Sequence, residues 1–193
     1  KEHSWDNTGM AALIPNSIAQ SLGGYRFICP DMIGGGEYRS FLNGATIDEE
    51  LFVRYAQCSA LLPMMQFSAD PFRVLSRKNA ELCRAAARLH EENGKYILNL
   101  IKKCIKEKLP VIAPIGYYDS NADISEKDAF MLSDELLVAP ITEKGADKKE
   151  IYLPEGEWKA PNGDIYTGGN TVTIKASIND LPFFKRIGSQ CEA

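Results

Sequence analysis

A carboxylate that precedes a run of glycines is the feature of this sequence whose residue types best suit chemistry. Residues 25–29 (YRFIC) mix aromatic and β-branched types and predict a short buried strand, which Pro30 ends because proline has no N–H to pair. Asp31 follows, and then three glycines at 34–36. Enzymes of the α/β class place binding sites at the carboxyl ends of strands, in loops that approach a ligand closely. The pattern by itself slightly favours the alternative, an ordinary turn capped by Asp31.

The composition is that of a soluble globular protein. The 193 residues suffice for one large domain or two small ones, and 45% of them are hydrophobic and 25% charged. The net charge of -4 gives no indication of a nucleic-acid partner, and no apolar run approaches the length that spans a membrane. We therefore expect neither nucleic acid nor a membrane as a partner.

The cysteines are odd in number and widely spread, and none has a CxxC or Cys/His spacing typical of a metal site. We expect neither a metal nor a cofactor. The five are Cys29, Cys58, Cys83, Cys104 and Cys191. Four lie in apolar segments, which predicts small buried core residues in a reducing compartment such as the cytoplasm. The chain begins with Lys1 rather than Met, and we expect it to be a piece of a longer protein.

The first half of the chain alternates predicted helices and strands. A helix is expected over residues 10–22, with Pro15 kinking it or beginning its second part. The run TIDE at 46–49 is typical of a capping box, with Thr46 as the N-cap and the glutamate reaching back. It predicts a helix that Pro63 ends.

A second strand, a long helix and a third strand are predicted next. Residues 64–68 (MMQFS) predict a short strand with its polar residues, Gln66 among them, on one face. A long amphipathic helix is expected over residues 76–108, broken by the Asn-Gly pair at 93–94. Residues 110–115 predict a further buried strand.

The pattern changes before a polar connector at residues 119–128. Beyond it lie short β segments separated by turns, with an Asn-Gly hairpin signal at 162–163 and strand-like alternation at 171–175. The predicted fold class is therefore α/β followed by all-β. The predicted domains are residues 1–118 and residues 119–193.

The first domain has the pattern of parallel βα units. It is too short for a whole (β/α)₈ barrel, which takes about 250 residues. It fits either the last part of such a barrel or a small α/β unit. A partial barrel leaves a sheet edge exposed, so we expect self-association through the open edge.

Several motifs resemble the C-terminal part of glycoside hydrolase family 31, and most of all its myogenesis-regulating-glycosidase-like branch. The matching segments are 12–15 (ALIP), 27–35 (FICPDMIGG), 50–54 (ELFVR), 62–68 (LPMMQFS), 110–111 (PV), 134–140 (DELLVAP), 151–154 (IYLP) and 181–184 (LPFF). The resemblance covers nearly the whole chain. It is fairly specific because the segments recur in the family's order.

The resemblance implies a two-part layout. Residues 1–118 look like the last part of a (β/α)₈ TIM barrel, and residues 119–193 look like the start of the antiparallel β-sandwich that follows it. Family members hydrolyse O-glycosidic bonds of α-linked sugars with retention, using a nucleophile and an acid/base carboxylate about 5 Å apart. In the family the nucleophile lies on an earlier barrel strand, which this chain lacks. The acid/base lies shortly before the region of Trp5.

Asp6 and Glu2 are the candidates for the acid/base within this chain. Asp6 lies nine residues before Pro15, whereas most family members place the acid/base further from the corresponding proline. The alternatives are that the acid/base lies outside the chain or that Glu2 takes its place. Helix N-capping is the favoured interpretation of Asp6, so no catalytic residue is expected within the chain.

The resemblance also assigns candidate sugar-binding residues. Asp31 matches the family aspartate that hydrogen-bonds sugar hydroxyls in the −1 subsite, a role that suits a carboxylate. Gln66 lies where many members carry an Arg-Asn-His motif, and this departure leaves the sugar open. Trp5 would wall the pocket by stacking, with plain packing as the alternative. We expect His3 at a frayed terminus and His90 within a helix, neither of them as a ligand.

Two hypotheses remain. In the first, the chain is a fragment of a retaining α-glycosidase of the α-glucosidase or α-galactosidase type, carries part of the −1 subsite and is inactive alone. In the second, it is a non-catalytic module that binds carbohydrate or a partner protein.

Overall fold

The computed structural model describes residues 2–35, 46–123 and 125–188. Its helices are a 3₁₀ turn at Met10–Ala12, α1 (Leu13–Leu22), α2 (Glu49–Ser59), α3 (Pro71–Val74), α4 (Arg77–Glu107) and a second 3₁₀ turn at Ile115–Tyr117. Its strands are β1 (Ile112–Ala113), β2 (Phe130–Leu132), β3 (Leu136–Val138), β4 (Lys148–Leu153), β5 (Glu157–Lys159), β6 (Ile165–Thr167), β7 (Asn170–Lys175) and β8 (Phe183–Arg186).

The predicted helix at residues 10–22 is present in two pieces, a 3₁₀ turn followed by α1. Pro15 is the third residue of α1 and lies in its first turn, where a helix does not need the missing N–H. Ser21 links α1 to strand β1, because its hydroxyl accepts a hydrogen bond from the Ile112 N–H at 2.8 Å. Of the two expectations for Pro15, a kink or the start of the second part, the structure agrees with the second to within two residues, because α1 begins at Leu13.

The segments at residues 25–33 and 64–68 run side by side and parallel, but they do not form the regular strands that we expected. Ile33 and Phe67 form an isolated parallel bridge. The hydrogen bonds run from the Met64 N–H to the Ile28 carbonyl (3.2 Å), from the Ile33 N–H to the Gln66 carbonyl (2.7 Å) and from the Ser68 N–H to the Ile33 carbonyl (3.0 Å). Pro30 has no N–H, and Gly34 has a φ of +97°, so regular pairing cannot continue along this segment.

The predicted capping box at the start of α2 is wrong. The N-cap is Asp48 rather than Thr46, because the Asp48 carboxylate accepts a hydrogen bond from the Leu51 N–H at 3.2 Å. Glu49 does not reach back to the cap. Its carboxylate instead accepts hydrogen bonds from the Ser76 N–H and from Asn79, at the start of α4. Helix α2 ends at Ser59, before Pro63.

Helix α4 is a single helix of 31 residues, so the predicted break at Asn93-Gly94 is also wrong. The Asn93 amide donates to the Leu89 carbonyl at 2.9 Å, within the preceding turn, and its oxygen accepts from Lys185 at 2.9 Å. Packing of the buried face of α4 outweighs the weak helix preference of these two residues.

The β region is antiparallel, as predicted. One sheet has six strands in the order β1-β2-β3-β8-β5-β6, and a second sheet pairs β4 with β7. The hairpin at Asn162-Gly163 is confirmed, because β5 pairs with β6 across it and Gly163 has a φ of +92°. Strand β1 precedes residue 118 and yet pairs with β2. The six-stranded sheet therefore includes residues from both predicted domains.

The six-stranded sheet is buried on both faces in its middle. Alternate residues of β2, β3 and β8 pack on the helices, and the others pack on β4 and β7 to form a sandwich. The helix-facing residues are Phe130, Leu132, Leu136, Val138 and Phe183, and the sandwich-facing residues are Met131, Leu137 and Phe184. This double burial explains why β2 and β3 are continuous apolar runs rather than alternating ones.

Three cysteines, Cys58, Cys83 and Cys104, are buried in the helical core as predicted. Cys29 is half-buried, and Cys191 lies outside the described residues.

Within the described ranges, no helix is both long enough and apolar enough to cross a membrane.

Arg54 joins α2 to the β region. The whole residue is 1% exposed, and its guanidinium donates to Gln57 and to main-chain carbonyls that lie far along the chain. These carbonyls belong to Ser177 (3.0 Å), Asp180 (3.2 Å), Ala146 (3.2 Å) and Ala176 (3.2 Å). The helical and β parts are therefore held together by a buried cation in a cage of carbonyl oxygens.

Candidate functional site

The Asp31 loop lies where the segment at 25–33 meets its parallel neighbour. Asp31 is half-buried, and its carboxylate accepts a hydrogen bond from the Met32 N–H at 2.7 Å. Two residues on, Ile33 pairs with the Gln66 carbonyl. Asp31 and Gln66 are therefore brought to neighbouring positions on adjacent parallel segments, which the sequence had placed 35 residues apart. Gln66 itself is exposed.

Gly34 lets this loop pack tightly. A Cβ at this position would lie 2.5 Å from the Phe52 ring and 2.8 Å from the Ser68 hydroxyl oxygen. The Ser68 hydroxyl in turn donates to the Ile33 carbonyl at 2.5 Å. Only glycine combines this close approach with a φ of +97°. The neighbouring residues at 36–45, including Gly36, lie outside the described residues.

His3 bridges the glycine loop and the start of α2. Its Nε2 accepts a hydrogen bond from the Asp48 N–H at 3.1 Å, which leaves Nδ1 as the donor to the Gly34 carbonyl at 2.6 Å. Both contacts thus assign one neutral tautomer of the ring. The expectation of a frayed terminus at His3 is wrong, because this long-range bridge anchors the N-terminal segment.

Trp5 is held by Asp48 as well. The indole N–H donates to the Asp48 Oδ2 at 3.0 Å, and the Lys144 ammonium donates to the same oxygen at 2.7 Å. Burial acts to raise the pKa of Asp48, but the hydrogen bonds from Lys144, Trp5 and the Leu51 N–H outweigh it and lower that pKa. Trp5 is partly buried and also packs against the helical core, the role that the sequence analysis gave as the alternative to stacking on a sugar.

Asp6 and Glu2 lie in an exposed turn. The Asp6 carboxylate accepts hydrogen bonds from the Thr8 hydroxyl (2.6 Å), the Thr8 N–H (2.8 Å) and the Ser4 hydroxyl (2.9 Å). The bonds from Thr8 lower the pKa of Asp6 the most. Glu2 accepts from the same Thr8 hydroxyl at 3.3 Å. A general acid needs a raised pKa, which this turn does not supply to Asp6.

Tyr55, which the sequence analysis did not single out as a site residue, lies near the Asp31 loop. Its side chain is fully buried, and its hydroxyl has no hydrogen-bond partner among the described residues. Burial, followed by the negative charge of Asp31, raises the pKa of this phenol. The phenol therefore stays neutral, and its hydroxyl is enclosed by the core.

Two clefts lie away from this loop. A cleft of ≈ 440 Å³ lies between helices α2 and α4 and the β region, and its lining includes Leu82, Leu89 and Tyr166. A polar cleft of ≈ 380 Å³ is lined by Glu126, Asp128 and Lys149 among others. None of the sequence-predicted site residues lines either cleft.

Among the described ranges, no group of three or more His, Cys, Asp or Glu residues is arranged to hold a metal.

Sequence reasoning missed the residues that organise the site, namely His3, Asp48 and Lys144. Their only local signal was the preference of aspartate for an N-cap position, which applies to Asp48. His3 and Lys144 gain their roles from contacts 31 to 96 residues away, which no local pattern encodes.

Comparison with known proteins gives a consistent result. The model of the glycosyl hydrolase family 31 C-terminal domain matches residues 108–189. A SITS-binding protein of Tetronarce californica is 34% identical over 89% of this chain and 25% of its own length. The myogenesis-regulating glycosidase of Mus musculus is 30% identical over 82% of this chain and 23% of its own length. The chain thus spans about a quarter of the length of these curated relatives.

A solved structure has the same fold. The GH31 dextranase of Flavobacterium johnsoniae, complexed with isomaltotriose, superposes with a TM-score of 0.80 and 27% identity. The match covers 96% of this chain and 23% of the dextranase. Because the motifs, the family model, the relatives and this structure agree, the chain belongs to glycoside hydrolase family 31, and residues 108–189 match the C-terminal domain of that family.

Proposed function

We propose that this chain is part of a retaining α-glycosidase that hydrolyses O-glycosidic bonds of α-linked sugars. It supplies part of the −1 sugar subsite. The observation that carries the proposal is the Asp31 loop, which Gly34 packs against Phe52 and Ser68 and which His3 ties to α2. The glycosidase relatives support the reaction class.

Asp31 is the central sugar-binding residue in this proposal. Its carboxylate accepts hydrogen bonds from sugar hydroxyls, which are stronger than those between neutral groups. The Gln66 amide on the adjacent segment offers both a donor and an acceptor. The Trp5 indole provides a flat apolar surface for stacking on a sugar ring. The dextranase relative, complexed with isomaltotriose, suggests an α-linked glucose oligosaccharide as the first ligand to test.

The chain does not hydrolyse glycosides by itself in this proposal. Retention needs two carboxylates about 5 Å apart, one of them with a raised pKa. The Asp6 carboxylate is occupied by Thr8 and Ser4 and has a lowered pKa, and Glu2 is exposed beside it. We therefore assign neither residue as the acid/base.

The layout follows from the same family context. In this proposal, residues 1–118 correspond to the last part of a (β/α)₈ barrel and residues 119–193 to the β-sandwich that follows, with β1 of the first part pairing into the sheet of the second. The parallel bridge between Ile33 and Phe67 supports the barrel assignment. An apolar surface near this bridge would pack against further barrel elements in a longer protein, and in the isolated chain it would promote self-association. It consists of Leu22, Tyr25, Phe27, Met32 and Met64, which are 43% to 67% exposed.

Isothermal titration of isomaltotriose into the 193-residue chain tests the proposal. We expect binding by the wild type and a loss of about tenfold or more in Asp31→Asn, because a hydrogen bond to a charged group is worth about 1.5–3 kcal/mol. Asp147→Asn is the matched control, since Asp147 is also an acid in a loop but lies outside the proposed site. Equal affinities of the wild type and Asp31→Asn would contradict the assignment of Asp31.

An assay on aryl α-glycosides tests the claim of inactivity. We expect no turnover above background. Turnover that Asp31→Ala abolishes would show that a complete active site is present in the chain. If no sugar binds and the chain is a stable monomer, the site assignment fails and a protein-binding module becomes the better interpretation.

A further inference from the structure

The loop that follows β3 lies along the first turn of α2, although the residues in contact are 92 to 96 positions apart in sequence. Lys144 donates to the Asp48 Oδ2 at 2.7 Å, and the Gly145 N–H donates to the Glu50 carboxylate at 2.8 Å. The Ala146 carbonyl accepts from Arg54 one turn further along the helix. Three successive residues of the β region are therefore registered against α2.

The Asp48 carboxylate divides its two oxygens between two tasks. Oδ1 caps α2 by accepting the Leu51 N–H, and Oδ2 accepts from both Lys144 and Trp5. The rotation of a carboxylate that caps a helix with one oxygen is set by what binds the other oxygen. Lys144 and the Trp5 indole thus donate to the same oxygen atom.

The charges around this oxygen favour the same arrangement. The Lys144 side chain is 63% exposed to solvent, whereas the Asp48 side chain is 25% exposed. The hydrogen bond with Asp48 raises the pKa of Lys144, and Glu50 on the same turn of α2 contributes a further negative charge. His3 binds the backbone of the same residue, because its ring accepts a hydrogen bond from the main-chain N–H of Asp48.

We infer that Lys144 is a positioning residue for the Trp5 indole and acts through the Asp48 carboxylate. A residue of the β region thereby orients an aromatic wall of the sugar site in the helical part. The consequence for sugar affinity rests on the proposed function, whereas the orientation of Trp5 does not. Lys144 touches no sugar in this proposal.

Nuclear magnetic resonance of the two tryptophan indole N–H groups tests the inference without a ligand. Trp158, whose indole donates to the Pro154 carbonyl at 2.7 Å inside the sandwich, is the internal control. In Lys144→Met we expect the Trp5 indole signal, assigned with Trp5→Phe, to shift upfield and to exchange faster with water. The Trp158 signal should stay in place. Lys144→Arg should restore the Trp5 signal, because it keeps a cationic donor.

A matched lysine separates positioning from a general loss of charge. Lys148→Met removes the same charge four residues away, from an exposed lysine with no ion pair among the described residues, and should leave both indole signals unchanged. In the same set of variants, the affinity for isomaltotriose should fall about threefold in Lys144→Met only, as expected for a partly exposed ion pair.

The outcomes distinguish this inference from the proposed function. An unchanged Trp5 signal in Lys144→Met would overturn the positioning role. A shifted signal with unaltered isomaltotriose affinity would overturn the link between Lys144 and the sugar site. If the wild type binds no isomaltotriose, the proposed function fails at that ligand, and the indole signals still decide whether Lys144 positions Trp5.

Discussion

The His3 imidazole accepts the main-chain N–H of Asp48 at 3.1 Å, across 45 residues of sequence. The other ring nitrogen donates to the Gly34 carbonyl at 2.6 Å. One side chain near the start of the chain therefore connects the loop after Asp31 with the first turn of α2. The bridge therefore holds the glycine loop of the candidate site against the start of α2.

Replacing His3 by Ala should destabilise the fold by about 1–3 kcal/mol, because both the Asp48 N–H and the Gly34 carbonyl lose their partner. Urea denaturation measures the change. His90→Ala is the matched control, since His90 makes one hydrogen bond, to the Ala60 carbonyl, and should cost less. A larger loss in the His90 variant would show that the bridge contributes little.

Gly34→Ala should be more damaging than Gly24→Ala, although both glycines have almost the same φ. Gly34 has a φ of +97° and Gly24 a φ of +99°, but a Cβ at Gly24 meets nothing within 4 Å. We expect a cost of about 1 kcal/mol at Gly24 from backbone strain and about 2–4 kcal/mol at Gly34, where overpacking adds to it. Thermal unfolding compares the two. Equal costs would mean that Phe52 and Ser68 move aside freely.

Arg54→Met should weaken the attachment of the β region to α2. The substitution leaves the carbonyls of Ser177, Asp180, Ala146 and Ala176 without their buried donor. We expect a loss of about 3 kcal/mol or more in the free energy of unfolding, and separate calorimetric transitions for the two parts. Arg88→Met, on the exposed face of α4, serves as the control and should unfold in a single transition like the wild type.

The pH dependence of stability should carry a contribution from Glu126. Burial, with the hydrogen bond and charge of Asp128, raises the pKa of Glu126 from 4.5 to about 7. A raised carboxyl pKa means that the folded state binds the proton more tightly, so stability falls as pH rises from 4.5 through about 7. Burial acts to raise the pKa of Asp128, but the hydrogen bond from Glu126 and the pairing with Lys149 outweigh it and lower that pKa.

Glu126→Gln should remove this contribution, since the amide mimics the neutral acid. The variant should be more stable than the wild type above pH 7 and should differ little from it near pH 4.5. Because solvent screens this half-buried group, we expect a gain of about 1 kcal/mol. Urea midpoints between pH 4 and pH 8 measure it. A parallel pH profile in the two proteins would contradict the assignment.

The exposed apolar surface formed by Leu22, Tyr25, Phe27, Met32 and Met64 should make the isolated chain self-associate. Phe27→Ser replaces one of its aromatic side chains, 56% exposed, and should shift size-exclusion elution toward the monomer. Ile165→Ser is the control, because Ile165 is 62% exposed but belongs to β6. A wild-type chain that elutes as a monomer at all concentrations would rule out self-association.

Local patterns predicted the elements whose residues decide their own conformation. The Asn162-Gly163 hairpin and the stripe of α4 were both recognised, since turn geometry and helical periodicity are encoded within a few residues. The break at Asn93-Gly94 and the cap at Thr46 were predicted wrongly, because the same local preferences compete with packing. Asn93 satisfies its amide within α4, and Asp48 is the N-cap in place of Thr46 because α2 begins at Glu49.

By itself, the sequence determined the family, the change from helical to β-rich segments and the position of Asp31 in a glycine loop. These features reside in contiguous motifs, whose chemistry is local. Only the tertiary structure decided that His3 is anchored, that Asp48 and not Thr46 caps α2, and that Lys144 reaches the Trp5 partner. The roles of His3 and Lys144 depend on donors and acceptors that folding brings together from 31 to 96 residues away, which the spacing of residues along the chain does not encode, whereas the cap at Asp48 depends on where α2 begins.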